Sequence, residues 1–304
     1  GLAAHFDDPS PIARAHGLAR LLTGTPKVVY PHDRILGSLR GGVSVPVSPA
    51  QLDDARAILQ SYGRRTFLTN ADHFAPDYAG FLRDGVSGTL ARIRRSREVH
   101  RSGPDSAKKL RFLDAAEISM EAFGTMAAQY ADAAEALAAS SPAPERQELL
   151  EAAGACPAVP ARPPETFREA LQLTWLAHHA FVLEGRDAMA FGRMDQFLWP
   201  YYLRDTQQGR LTREDATDLL ACTLYKIADV GHYDTCNIAI GGILPDGTGG
   251  VNELSYCILE AVKRCRIPGP NLSARLYRDV PEEFLDACLQ VIGTGIGYPA
   301  LMND

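Results

Sequence analysis

From Asn237 onward the chain alternates between two hydrophobic periods, and that alternation limits the folds open to it. Asn237 to Ile243 repeats as a strand does, Asn252 to Arg266 repeats at helical spacing, and Asn271 to Tyr277 is strand-like again. Pro281 to Gly293 is helical, and Pro299 to Met302 opens another strand. Strands that trade places with helices build a parallel sheet, because a parallel connection needs a crossover of about a dozen residues or more. The expected fold class is α/β, with a helix-covered parallel sheet or barrel.

The chain before Cys236 is mostly helical in pattern. Its first fifty residues are the exception: turn formers and short apolar runs such as Ile35-Leu36-Gly37 predict loops with one or two short strands. The Ser48-Pro49 signal predicts a helix to about Tyr62, and Pro76-Asp77 another to about His100. Further helices are expected over Ser106 to Ala139 and, shorter, over Glu145 to Ala153. The segment from Phe167 to about Glu184, opened by Pro163-Pro164-Glu165-Thr166, is apolar nearly all round and should be deeply buried. A helix near Met194 to Asp205 and one from the Thr212-x-x-Asp215 signal to about Asp229 complete a helix-rich region, 1–235, ahead of an alternating one, 236–304.

Charge narrows the functions. Thirty-one Lys and Arg against 37 Asp and Glu leave a formal charge of -6, so no overall field draws in nucleic acid or an anionic membrane. The basic run from Arg92 to Arg101 lacks interleaved aromatics and reads as a solvated helix end rather than a phosphate reader. The sequence has no stretch of about eighteen apolar residues, and Gly1 to Tyr30 lacks the parts of a signal peptide. A cytoplasmic protein is expected, although the chain starts at Gly1 without a methionine and a leader could precede it.

The six cysteines, Cys156, Cys222, Cys236, Cys257, Cys265 and Cys288, form no CxxC pair, so neither a metal cage nor a disulfide framework is expected. Cys222, Cys257 and Cys288 fall in apolar helices as packing residues, whereas Cys236, beside Asn237, is expected in an exposed loop. His178 and His179 point about 100° apart on a helix and cannot chelate together, so both are expected in the core. Gly241-Gly242 and Gly247 to Gly250 follow no phosphate-loop order, and Asp246 would repel a phosphate, which leaves turns.

The most specific local feature is Gly192-Arg193-Met194-Asp195-Gln196, followed by Trp199-Pro200-Tyr201-Tyr202. An Arg and an Asp two apart in a turn can serve different neighbours, the guanidinium clamping a carboxylate or backbone carbonyls and the Asp capping the next helix. That describes a buried structural hub, with direct catalysis as the alternative. Other segments keep it company: Asp72-His73-x-x-Pro76-Asp77-Tyr78, Pro163-x-Glu165-Thr166-Phe167-Arg168-Glu169-Ala170-Leu171-Gln172, and Gly241-Gly242 with Asp246 to Ser255. Pro270-Asn271-Leu272-Ser273-Ala274-Arg275 and Gly297-Tyr298-Pro299-Ala300-Leu301-Met302-Asn303-Asp304 follow. In this order, from about Pro31 to its end, the chain resembles the pyruvate formate-lyase-like, or glycyl radical, family.

The resemblance implies part of a ten-stranded α/β barrel made of two antiparallel five-stranded halves wrapped in helices. It implies a lyase or dehydratase that cleaves a C-C, C-O or C-N bond of a small molecule. One finger loop in such a barrel carries a cysteine that becomes a thiyl radical, and a second carries the glycine that stores the radical. No dissociable cofactor is expected. The partners implied are a radical S-adenosylmethionine activase with an iron-sulfur cluster, a small-molecule substrate, and a second copy in a homodimer when full length. Both finger loops are expected beyond Asp304, so no catalytic residue is expected in this chain and, alone, it is expected to be inert.

Substrate-contacting positions are nevertheless implied. His73 stands where dehydratases of the family place a histidine that bonds substrate hydroxyls; the alternative is a histidine capping the helix that begins at Pro76. Polyol dehydratases carry His-Ser-x-Ser just before the Gly-Arg, and here the run is Asp187-Ala188-Met189-Ala190-Phe191. Ala188 and Met189 lack the donors a diol needs, so glycerol and propanediol fit poorly. Asp187 either accepts substrate hydrogen bonds or attracts a cation, or merely caps the next turn. His73, Asp187 and Ala188 are thus the expected substrate-binding residues, supported by Arg193, Asp195, Asn303 and Asp304, with no metal. Two rival readings are a stand-alone, non-catalytic relative that binds a ligand or partner, and an α/β hydrolase or transferase, for which no nucleophile elbow or metal triad is found.

Overall fold

Helices take up the chain wherever apolar residues recur once per turn, and short strands appear where the period falls to two. This computed structural model describes residues 11–38, 48–62, 73–186, 188–230 and 236–304. Its helices are α1 (Pro11–Gly24), α2 (Pro49–Tyr62), α3 (Tyr78–Val99), α4 (Ser106–Ala138), α5 (Ala143–Ala161) and α6 (Phe167–Leu183). They continue as α7 (Met194–Phe197), α8 (Trp199–Gln207), α9 (Arg213–Val230), α10 (Glu253–Cys265) and α11 (Glu282–Val291), the last running into a π-helical turn, Ile292–Ile296. The strands are β1 (Gly192–Arg193), β2 (Asn237–Gly241), β3 (Asn271–Leu276) and β4 (Ala300–Asn303).

α6 is the axis of the helical layer. Its first turn is closed by a capping box: Thr166 Oγ1 accepts the Glu169 N–H at 3.2 Å, and Glu169 Oε2 accepts the Thr166 N–H at 3.4 Å. From Ala170 to His179 every residue is buried, as expected of a helix apolar on all sides. The polar members of that run are matched inside. Gln172 accepts the Leu36 N–H at 2.7 Å and donates to the Leu36 carbonyl at 2.9 Å, while Trp175 Nε1 donates to the Gly37 carbonyl at 2.9 Å. Buried groups of this kind persist only when satisfied, because an unpaired one costs about 1–3 kcal/mol. The same stretch of loop is tied down by Lys226, whose buried ammonium meets Asp33 and the Ser38 hydroxyl.

The four strands lie in sequence order and all pair in parallel. Asn237 pairs with Asn271, and Ala239 with Arg193 on one side and Ser273 on the other; Ser273 in turn pairs with Ala300. A parallel bridge between Phe74 and Met189 carries the pairing one segment further, beyond the 188–193 run. Ile238, Ile240, Leu272 and Ala274 are at most 1% exposed. Ile238 packs among Leu220, Leu224 and Ile227 of α9 and Ile258 and Ala261 of α10. That face of the sheet is therefore a helix-covered core.

Four expectations need correction. The opening segment is not loop and strand: it forms α1, with Ala13, Ala15 and Leu22 buried, and beyond it an isolated antiparallel bridge joins Val28 to Ser38. α5 does not stop at Ala153 but runs to Ala161, because Leu149, Ala152, Ala153, Ala155 and Cys156 bury one side of it and packing outweighs the breaking tendency of Gly154. The single helix expected over Met194 to Asp205 is broken at Leu198, where Pro200 starts a second helix. Gly192-Arg193 is a strand rather than a turn. α3 also holds a kink at Gly85 (φ 62°, ψ −173°), where a Cβ would sit 3.0 Å from the Pro163 backbone.

Replacing Gln172 by Leu strands the buried Leu36 N–H and carbonyl together. We predict a loss of about 3 kcal/mol in unfolding free energy, read from the midpoint of a urea titration at unchanged slope.

Candidate functional site

Side chains alternate along a strand, so the residues between the buried ones of β2 and β3 look the other way. Asn237, Ala239, Asn271, Ser273 and Arg275 occupy that second face, and all are at least partly exposed. The register joins them in rows, Asn237 beside Asn271 and Ala239 beside Ser273, with the Tyr298 hydroxyl donating to Asn271 Oδ1 at 2.6 Å. The result is a polar, small-residue face opposite an apolar, helix-packed one. Sequence reasoning named none of these residues as functional, although the period-two pattern that predicts the strands also separates Asn271, Ser273 and Arg275 from their apolar neighbours.

The carboxyl ends of the strands are knotted together by the Arg193 to Asp195 segment. Arg193 donates from Nη1 to the Ile243 carbonyl at 3.0 Å and from Nη2 to the Gly241 carbonyl at 2.5 Å. Of the two partners expected for this guanidinium, backbone carbonyls are the ones present. Asp195 does not cap the helix that follows it. It lies inside α7, is fully buried, and its Oδ2 accepts the Gly241 N–H and the Ser255 hydroxyl, each at 2.7 Å. Ser255 belongs to the capping box that Asn252 builds at the start of α10, and the Asn252 amide donates to the Asp195 carbonyl at 2.9 Å. One carboxylate thus joins the end of β2 to the start of α10. Gly241 (φ +71°) allows this turn, since a Cβ there would press on the Arg275 carbonyl at 3.0 Å.

Asp304 closes the far side of the same rim. Its Oδ1 pairs with Arg275, at 2.9 Å from Nε, and its Oδ2 accepts the Ile243 N–H at 2.5 Å. These contacts hold its carboxyl below the usual aspartate range. Asn303 ends β4, exposed, opposite Leu276. Arg193, Asp195 and Asp304 therefore meet through the Gly241–Ile243 backbone.

His73 lies elsewhere. It is exposed, has a left-handed backbone (φ 66°), and its N–H donates to the Ala188 carbonyl at 2.7 Å. The Phe74 ring turns back onto Phe181 of α6, with centroids 5.4 Å apart. The structure brings His73 and Ala188 together through this backbone bond. Asp187 lies outside the described residues.

The thiols are all on the helix side. Cys236 is not in an exposed loop: it is 1% exposed, with its sulfur 3.5 Å from His178 Nε2, while Tyr78 Oη is 3.1 Å from His178 Nδ1. His179 meets the Tyr130 hydroxyl at 3.0 Å. Burial pushes both imidazoles down to about 3, so they are neutral core residues as expected. Cys257, Cys265 and Cys288 have thiol pKa values raised by burial. The basic run at the end of α3 is partly neutralised at the surface, Arg94 by Glu117 at 2.8 Å and Arg97 by Asp114 at 2.6 Å. Among the described residues no group of three or more His, Cys, Asp or Glu is placed to hold a metal ion, and no helix is long and apolar enough to cross a membrane.

Comparison with known proteins agrees with this geometry. Residues 55–304 match the model of the pyruvate formate lyase-like family. The chain is 35% identical over 272 residues to a probable dehydratase, YbiW, of Escherichia coli K12, a match that covers 82% of this chain and 33% of that protein. It superposes on the glycerol-bound B12-independent glycerol dehydratase of Clostridium butyricum with a TM-score of 0.89 at 25% identity, covering 99% of this chain and 47% of that one. A glycyl radical enzyme of Archaeoglobus fulgidus gives 0.87 at 27% identity, covering 99% and 48%. The chain spans about a third of the curated relative's length and under half of the solved chains.

Burial lifts the Asp195 carboxyl to about 6, against the pull of Ser255, Gly241, Gln196 and Arg193 in the other direction. Between about pH 4 and pH 6 the native state keeps a proton that the unfolded chain has lost, so stability should fall as pH rises through that window. The expected fall is on the order of 3 kcal/mol. Asp195→Asn should remove this pH dependence, as read from denaturation midpoints across the window.

Proposed function

This chain belongs to the pyruvate formate lyase-like family, and from that premise we propose that it is the front part of a glycyl radical dehydratase or lyase whose substrate lies against the polar face of the sheet. The observation that carries this reading is the two-sided character of β2 and β3: a core of Ile238, Ile240, Leu272 and Ala274 on one face and Asn237, Asn271, Ser273 and Arg275 on the other. Parallel sheets are found with both faces covered, and relatives two to three times as long have the chain to cover the second. A barrel interior so formed is a water-poor chamber of the kind a reactive intermediate requires.

The glycyl radical and the cysteine it serves supply hydrogen abstraction in such an enzyme, and this chain supplies neither. Cys156, Cys222, Cys257, Cys265 and Cys288 lie in helices and Cys236 faces α6, so no thiol of the chain looks onto the polar face. What the chain contributes is the wall. His73 offers an imidazole that bonds a substrate oxygen or moves a proton to it. Ala188 leaves an apolar gap where a polyol would need a donor, and Asp187 supplies a negative charge or an acceptor. Arg193, Asp195, Asn303 and Asp304 hold the strand ends in place. The substrate is accordingly a small molecule poorer in hydroxyls than glycerol, and the bond cleaved is C-O, C-C or C-N. A radical S-adenosylmethionine activase with an iron-sulfur cluster is the partner, the working form is a homodimer, and the setting is an anaerobic cytoplasm.

The coding sequence tests this directly. It should stay open past Asp304 and encode a cysteine finger and a C-terminal Gly-Tyr motif, with an activase gene nearby; a stop codon at that point contradicts the proposal. For the site, His73→Asn keeps a residue tolerant of the left-handed backbone while removing the imidazole. In the intact, activated protein it should lower kcat/KM about 100-fold with little change in the unfolding midpoint. Unchanged turnover would remove His73 from the site.

A further inference from the structure

Helices α1, α3, α4 and α6 enclose a cavity of about 320 Å³ on the helix side of the molecule. Its wall is made of Leu18, Leu22, Phe81, Met120, Phe123 and Phe181, and several of these are partly exposed, so the space reaches solvent. Four polar groups border it, and each has a partner elsewhere. The Tyr78 hydroxyl is engaged with His178 at 3.1 Å, leaving only its ring to the cavity. Ser119 Oγ donates to the Ala115 carbonyl at 2.8 Å, within its own helix. Glu184 Oε1 is held by Arg14, at 2.7 Å from Nη2 and 3.1 Å from Nε. Asp77 caps α3 by accepting the Gly80 N–H at 2.8 Å and is exposed at the mouth.

A ligand inside would find apolar surface on every side. A charged or hydrogen-bonding group carried into the interior would lose its water without compensation, at a cost of kcal/mol size. Water in the interior finds few partners, since the bordering polar groups are engaged elsewhere, and its release to bulk favours an apolar occupant. The volume matches the lower end of small-molecule pockets.

We propose that this cavity is a binding site for a small, uncharged aromatic ring, free or at the end of a longer molecule whose polar group stays at the mouth between Asp77 and Glu184. The site is separate from the polar sheet face and stands whether or not the reaction proposed above is correct. Pro76 to Tyr78 line it and directly follow the His73–Phe74 segment, and Phe181 of its wall packs on Phe74, so an occupant would brace the far side of that segment.

The test uses the intact protein with benzene as the probe and benzoate as the charged control. Benzene at about ten times its Kd should raise the thermal midpoint by about 2 °C, and crystals soaked in benzene should show it among Phe81, Met120 and Phe123. Benzoate should give no shift. Ala180→Phe fills the space and should abolish the benzene shift without lowering the midpoint; Ala177→Leu serves the same purpose if the larger side chain prevents folding. No shift with no benzene density, an equal shift in a filled variant that folds, or a further segment of the intact protein found seated in the cavity would each overturn the proposal.

Discussion

A parallel sheet has to be covered on both faces, and the described residues cover one. On the covered side, the buried aliphatic residues of β2 and β3 contribute about 1.5–3 kcal/mol each for the larger side chains, and α9 and α10 exist in these positions to receive them. On the other side the same strands carry amides, a hydroxyl and a guanidinium. A sheet with this division faces a core in one direction and presents a partly exposed polar surface in the other. The superposition on glycyl radical enzymes over nearly all of this chain, and under half of theirs, gives the division its meaning: the fold is part of their α/β barrel.

Everything at the strand ends serves to hold that sheet in one geometry. Arg193 and Asp195 act on the same turn from two sides, one taking the carbonyls of Gly241 and Ile243, the other the N–H of Gly241. Asp195 is kept at a cost, since burial lifts its carboxyl toward neutrality even with three donors and a guanidinium nearby. The arrangement resembles other buried hubs in which the removal of one partner is worse than the absence of both. It explains why an Arg and an Asp two residues apart act as a scaffold here.

Local patterns were legible in the sequence because their causes are local. The Thr212–Asp215 capping signal, the all-round apolar stretch of α6 and the period-two runs of β2 and β3 each depend on neighbours a few positions away. What escaped was set at long range. Cys236 looks like a loop residue until α6 places His178 against it, 58 positions distant, and Asp195 finds its hydroxyl donor 60 positions on. α1 is a weak pattern, interrupted by Gly17 and scattered arginines, that becomes a helix by packing on α4. The polar sheet face was visible as alternation along each strand but not as one surface, because a row of side chains across strands is defined by register and not by spacing along the chain.

Electron paramagnetic resonance of the intact protein, after anaerobic treatment with a radical S-adenosylmethionine activase, tests whether this chain forms one wall of a glycyl radical enzyme. The expected signal is a doublet from the single α-hydrogen of a glycine radical, collapsing to a singlet when the protein's glycine is α-deuterated. A silent spectrum, or a signal indifferent to glycine deuteration, would contradict it.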